Sequence, residues 1–589
     1  MTGLRADRSG GGWWAALLWH VRRRQAVWRE AAALEASARR PRSWFVAGVD
    51  VLAVVALLWM PLLAWRREGV VSVPGKPWWI VESDQFLYGP DAAAWAQNAL
   101  ALNQGRLADL DPHRLPTWTV FTVGTMRVFD IDVALAGHLV NRVEHVLLGP
   151  VIYLLGRLLG LKGFAFAAAA IVVVQPHLLA SACRFGVDPT VTLMVPLTLL
   201  AARVAGGRWW FAPAAGVVAG LTMVSHLTAL GFPLCGLVLM VASGRGWWRR
   251  LAAALLYCGA VYLVFRWVFS VFPMLPEAFF KDSLAEGITP TGDDIGEAGR
   301  AAARESALSL LRTNAPLALN AALRFIAMTF APAGLPWALS VALIWLGFLG
   351  PNAARRVRPP SGKAAWRHLS RRVFGSVAEG VAVASACAPL IAFAAAKSPE
   401  RYSDNLLPVA ALLMARGGAT LAAAAVHALS FLRPLFSFRW RIEAGIAAIL
   451  AVCWSAGEWR EPHQRSAVLA PAFEKNALAV GQALADHFPA GIGAASCLRE
   501  ALPYAGLLYC PNTVCPFSDN EPGYRRCVEI IRKECPGTGA IPLIVTDDLT
   551  LEQCPVNRVH FDAWVETRLV PVASAGGSRI YALPRTGEL

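Results

Sequence analysis

Apolar runs of about twenty residues alternate with short polar stretches along most of this chain, which is the length an α-helix needs to cross the hydrocarbon of a bilayer. Such runs lie at 44–64, 134–157, 163–181, 189–205, 209–224, 226–243, 251–273, 321–349, 374–396, 405–428 and 442–458, and they predict eleven spanning helices. The expected fold class is mainly α, a polytopic membrane helical bundle. Beyond the last run the pattern changes. Phe473 to Phe488 has helical spacing, Ile541 to Thr546 reads as a buried strand, Arg568 to Val572 and Arg579 to Leu583 read as two more, and Gly576-Gly577 supplies a turn. The tail is therefore expected to be a small α/β domain. Three parts follow: a basic N-terminal segment at 1–43, a membrane domain at 44–458 with long loops at 65–133 and 274–320, and a cysteine-rich domain at 459–589.

Composition narrows the class. Over 589 residues, 56% are hydrophobic and only 16% charged, with a mean hydropathy of +0.45, too apolar for an ordinary soluble protein. The net charge of +15 does not point to nucleic acid, because the basic residues sit in short clusters between apolar runs. With the basic N-terminus inside, the returning loops carry Arg157 and Lys162, Arg203 and Arg208, Arg245, Arg249 and Arg250, Arg355 to Arg372, and Arg433, Arg439 and Arg441. Each obeys the positive-inside rule. Met1 to Arg42 is Arg-rich and interrupted, predicting an amphipathic cytoplasmic helix through Trp13 to Ala38 rather than a cleavable leader.

An odd number of spans places the tail outside the cytoplasmic membrane. Its cysteines agree with that placement. Six of the eleven (Cys497, Cys510, Cys515, Cys527, Cys535, Cys554) crowd into the last hundred residues, an even number in a polar segment that suggests disulfides. A zinc site is the rival, but no CxxC pair is present.

Four outer stretches carry candidate chemistry. In Ser83 to Gln97, Asp91 opens a helix whose apolar side is Ala92, Trp95, Ala96, Ala99, Leu100 and Leu102 and which Gly105 closes; such a helix is expected to lie along the membrane surface. Asp91 has an ordinary reading as a helix cap, and Asp84, Asp109 and Asp111 as solvated loop acids. In the link Ala182 to Pro189, Arg184 and Asp188 are either an interfacial pair or groups facing a cavity. In Lys397 to Pro408, Lys397 and Arg401 form a cationic pair suited to a phosphate, or an interfacial anchor beside Tyr402. His226 falls at a further outer turn, where a lone histidine is more often structural. No Walker motif, strand-borne GxGxxG, GxSxG or internal repeat is present.

The order of these stretches resembles a known family. Pro90-Asp91 followed by Trp95 to Leu100 and Gly105, then Pro112 to Pro116, then Asp130 to Leu135 running into Asn141 and Gly149, is similar to the start of the GT-C fold glycosyltransferases. These include the protein O-mannosyltransferases and the lipid A aminoarabinose transferases. Arg184 to Asp188 is similar to that family's second acidic outer turn, and Glu400-Arg401-Tyr402 with Leu406-Leu407-Pro408 to its later arginine-tyrosine and leucine-proline stretch.

The resemblance implies a GT-C-like bundle and a cell-envelope transferase that takes a sugar from a polyprenyl-phosphate-linked donor. The acceptor would be a glycolipid, polysaccharide or protein, and the partners are membrane lipid and these substrates rather than nucleic acid. Asp91, or Asp84 in its place, would be the general base of an inverting transfer, with Arg401 and Lys397 holding the donor phosphate. Many members carry a second acid directly after the first. Ala92 stands there instead, which leaves a divalent metal open and no cofactor assigned. A transporter or flippase of lipid-linked saccharide and a non-catalytic envelope-assembly protein are the alternatives; few charges fall within the predicted spans, which favours chemistry at the surface.

Overall fold

A computed structural model describes residues 44–67, most of 89–272, residue 343, 406–428, most of 472–510 and parts of 528–584. The predicted spans at 374–396 and 442–458, all but residue 343 of the span at 321–349, the N-terminal helix and the loop at 274–320 lie outside the described residues. Twelve helices are defined in chain order. They are α1 (Trp44–Arg67), α2 (Gly89–Asn103), α3 (Pro116–Phe129), α4 (Val133–Leu158), α5 (Gly163–Val173), α6 (Pro176–Ala182), α7 (Asp188–Gly207), α8 (Ala212–Met223), α9 (Phe232–Ser243), α10 (Trp247–Val271), α11 (Leu407–Ala428) and α12 (Ala472–His487).

Four of them are long and apolar enough to cross a membrane, over Gly48–Trp65, Val133–Leu158, Asp188–Gly207 and Trp247–Val271, and this is a membrane protein. Burial separates their roles. About two thirds of α4 and α7 is buried, against 22% of α10, whose Leu255, Tyr262, Leu263 and Trp267 face outward. The polytopic protein is thus built around α4 and α7, which pack on each other, with α10 at the periphery.

The run at 163–181 does not form one span. Pro176 lacks the amide hydrogen and crowds the preceding turn, so α5 ends at Val173, Gln175 bridges, and α6 restarts at Pro176. The turn from α3 to α4 is closed by Asp132, whose Oδ1 accepts from the Leu135 amide at 2.8 Å as an N-cap.

The tail carries a five-stranded mixed sheet. Its strands are β1 (Gly493–Ser496), β2 (Leu508–Tyr509), β3 (Ile541–Thr546), β4 (Val570–Ala575) and β5 (Ser578–Leu583), in the order β2-β1-β3-β5-β4. β2, β1 and β3 are parallel, whereas β3-β5 and β5-β4 are antiparallel. Gly576-Gly577, both at positive φ, form the two-residue hairpin turn expected of them. A disulfide joins Cys510, directly after β2, to Cys535, and both cysteines are buried in one small core with Ile531, Ile541 and Leu583. The other four tail cysteines lie outside the described residues.

Candidate functional site

The first-turn position of Asp91 in α2 follows from Gly89-Pro90, since proline at a helix start gives up no hydrogen bond. From there α2 runs as a small-residue helix. Ala92, Ala93, Ala96, Ala99 and Ala101 are buried, so the burial extends beyond the single apolar side expected from Ala92, Trp95, Ala96, Ala99, Leu100 and Leu102. One side packs on α3 and α4, and the other is covered by the tail domain, whose Leu508 sits in the same core as Ala92 and Ala96.

The polar residues of α2 are correspondingly committed. Asn98 exchanges two hydrogen bonds with the backbone of Asp111, donating from Nδ2 to its carbonyl at 3.1 Å and accepting from its amide at 2.8 Å. Asp111 also meets Arg114 at 3.6 Å, and the Arg114 guanidinium lies 5.4 Å over the Trp95 ring. The loop after α2 is therefore held rather than merely solvated.

Trp118 on α3 is the hub of the region. It is fully buried, donates from Nε1 to Asn141 Oδ1 on α4 at 2.8 Å, and meets Trp95 edge-on at 5.6 Å and Phe185 at 4.8 Å. Phe185 belongs to the short link before α7 and lies on Gly137 of α4, where a Cβ would stand 2.8 Å from its Cδ2 and Cζ. His138 flanks the same ring at 5.6 Å. The turn at 224–226 is bound to the start of α3: Thr117 Oγ1 donates to the carbonyls of Leu221 and Val224 at 2.9 and 3.0 Å.

Three candidate stretches thus meet one core. Ala92 follows Asp91, Val187 precedes Asp188, and both are buried in the Trp118 core; the turn holding His226 is tied to Thr117 beside it. The fourth stretch leads into that core through Leu406 and Val409. Arg401 is five residues before Leu406 in the sequence.

Individual placements differ in kind. Asp188 is half-buried as the first residue of α7, where the helix dipole favours its charge, and its carbonyl accepts from Thr192 Oγ1 at 2.8 Å. His226 is half-buried, with its carbonyl accepting from the Ala229 amide at 3.0 Å. For Asp91 the backbone alone is described, and Asp84, Arg184, Lys397 and Arg401 lie outside the described residues. Among the described residues no group of three or more His, Cys, Asp or Glu side chains could hold a metal ion.

The sequence named Asn141 only within the family resemblance and did not single out Trp118 or Phe185, the residues that join these stretches. Trp118 was one aromatic in a short apolar piece, and nothing local connects it to Asn141 or Phe185. Below this layer α4 buries two more ionisable groups near its middle. Glu144 accepts from Thr190 Oγ1 on α7 through both oxygens, at 2.9 and 2.7 Å, and Arg142 lies 5.7 Å over Trp65.

No family model and no curated protein matches the chain. Among solved structures it is similar to ArnT from Cupriavidus metallidurans bound to undecaprenyl phosphate, at 14% identity and a TM-score of 0.49 over 91% of this chain and 99% of that one. The apo state of that protein gives 16% and 0.45 over the same shares. The archaeal oligosaccharyltransferase AglB from Archaeoglobus fulgidus, in complex with an inhibitory peptide and a dolichol-phosphate, gives 12% and 0.46 over 85% of this chain and 70% of that one. Likenesses at this level assign neither substrate nor residue roles.

Proposed function

We propose that the protein is a membrane glycosyltransferase of the GT-C type that moves a sugar from a polyprenyl-phosphate-linked donor to an acceptor hydroxyl on the outer face of the cytoplasmic membrane. The observation that supports this reading is the shared Trp118 core, which takes in Ala92 next to Asp91, Val187 next to Asp188, and Leu406, the fifth residue after Arg401 in the sequence. Residues 1–43 are then cytoplasmic, 44–458 form the membrane domain and 459–589 the periplasmic domain. Exposed Trp209, Trp210, Trp247 and Trp248 lie beside Arg208, Arg249 and Arg250 where α7 ends and α10 begins, which supports a cytoplasmic interface there.

In the reaction, the acceptor oxygen attacks the anomeric carbon from the face opposite the phosphate, and the bond from that carbon to the phosphate oxygen breaks with inversion. The acceptor proton goes to the Asp91 carboxylate, with Asp84 as the other candidate. The phosphate leaves with the bonding electrons, and Arg401 and Lys397 stabilise its charge. A carboxylate at a helix start is already oriented, so capping and base catalysis are compatible.

The broken helix at Gln175-Pro176 and the buried Arg142 and Glu144 favour a second reading, a transporter of lipid-linked saccharide. One assay separates the two: protein in lipid vesicles is given a labelled polyprenyl-phosphate sugar and candidate acceptors. Transfer that falls by about 10²–10⁴ in Asp91→Asn supports the first reading. Transfer unchanged in both Asp91→Asn and Asp84→Asn removes the site assignment. Passage of intact lipid-linked sugar without transfer establishes the second reading instead.

A further inference from the structure

The tail domain does more than lie near α2. Gln97 donates from Nε2 to the Leu507 carbonyl at 2.9 Å, immediately before β2, and Gln104 reaches the Gly506 carbonyl at 3.5 Å. The Arg106 guanidinium donates to the Gly491 carbonyl, immediately before the residues that lead into β1. These carbonyls belong to one small structure, because the Gly491 amide donates to the Gly506 carbonyl at 2.9 Å and the Leu508 amide to Ile492 at 2.9 Å.

The geometry of the helix end makes this contact specific. Gly105, at a φ of +74°, donates to the Leu102 carbonyl at 3.1 Å, and Arg106 donates to Ala101 at 2.8 Å, which is the paired closure of a Schellman motif. That closure fixes where Arg106 leaves the helix. On the other side Gly491 has a φ of +85°, which favours glycine, and a Cβ there would come within 3.3 Å of the Oε1 at the end of the Gln104 side chain. Leu508, from the tail, completes the apolar contact with Ala92, Ala96 and Ala99.

We propose that the tail domain is a clamp on α2, with Gln97 and Arg106 as positioning residues that fix the helix beginning at Asp91. The catalytic part of this proposal rests on the reading given under Proposed function. Asp91 is about a turn and a half before Gln97 on the same helix, and at 1.5 Å per residue a shift of α2 is carried directly to it. The polar grip is on backbone carbonyls, so that part of the clamp depends on the tail's fold, with Leu508 adding the apolar contact.

The test uses the full chain in lipid nanodiscs, comparing wild type with Gln97→Leu, Arg106→Ala and Arg106→Lys. Hydrogen exchange is read on peptides covering 89–103, with peptides from α7 and α10 as internal controls. The clamp predicts that Gln97→Leu and Arg106→Ala accelerate exchange in 89–103 about tenfold while the controls stay unchanged, and that Arg106→Lys retains most of the protection. It further predicts that kcat for sugar transfer falls in step while the donor KM holds.

Unchanged exchange in both variants overturns the clamp. Faster exchange throughout the controls also overturns it, since that reports general unfolding. Faster exchange in 89–103 with unchanged kcat overturns the positioning role. A wild type that transfers no sugar refutes the proposed function, and exchange alone then decides whether the tail holds α2.

Discussion

Substituting Gly137 by alanine opposes two effects of known size. On an open helix face the change stabilises by about 1 kcal/mol, because glycine loses more backbone freedom on folding. Here an ideal Cβ stands 2.8 Å from Phe185 Cδ2 and Cζ and closer still to Cε2. An ordinary carbon contact needs about 3.5 Å, so the ring must retreat appreciably. It has little room to do so: Phe185 is 5% exposed, with Trp118 at 4.8 Å and His138 at 5.6 Å on its other sides. Overpacking at such a site costs about 1–3 kcal/mol, and the severity of this overlap places it near the upper end. The net expectation is destabilisation by about 2 kcal/mol. Detergent-driven unfolding in mixed micelles, followed by tryptophan fluorescence, measures it. Phe185→Leu removes the ring atoms in conflict, and in that background Gly137→Ala is expected to cost at least about 1 kcal/mol less. If Gly137→Ala instead stabilises by the helix-propensity amount, with no coupling to position 185, the link before Asp188 does not rest on α4 and the shared core loses that member.

Three other perturbations report on other joints. Trp118→Phe keeps most of the ring but removes the buried hydrogen bond to Asn141 Oδ1, an expected loss of about 1 kcal/mol in the same unfolding assay. Thr190→Val removes the hydroxyl that serves Glu144; a loss of about 1–3 kcal/mol is expected, most of it recovered when Glu144→Leu removes the buried carboxyl as well. Cys510→Ser with Cys535→Ser opens a loop of 25 residues, expected to cost the tail about 3 kcal/mol. Mass spectrometry after alkylation without reduction should find those two thiols protected in the wild type.

What the sequence made legible follows the range of the forces involved. α4 was expected at 134–157 and spans Val133–Leu158, because a long apolar run with an aspartate before it carries its own boundaries. β3 and β5 were visible through Ile, Val and Tyr. β1, Gly493-Ala494-Ala495-Ser496, was not, since nothing in that composition favours a strand; it is one because Leu508 and Leu543 pair with it from either side. Pro176 breaks the apolar run at 163–181 into two helices, although the run alone is long enough for a span. The contacts that join the candidate stretches were hidden for a different reason. Trp118 and Asn141 are 23 residues apart, and Gln97 and Leu507 are 410, so no local period encodes them.

Ala92 shows how such contacts change the meaning of a motif. In the sequence it was a departure, standing where many GT-C members carry a second acid. In the structure that position is 1% exposed, within the core shared with Trp95, Trp118 and Leu508. A carboxylate there would lose its hydration within an apolar cluster, at a penalty of several kcal/mol. Alanine is therefore what the packing of α2 between α3, α4 and the tail requires. With alanine at 92, the chain has no adjacent pair of carboxylates at 91 and 92. Under the proposed function with Asp91 as the base, the departing phosphate then looks to Arg401, five residues before Leu406, and to Lys397, nine residues before it, for its neutralising charge.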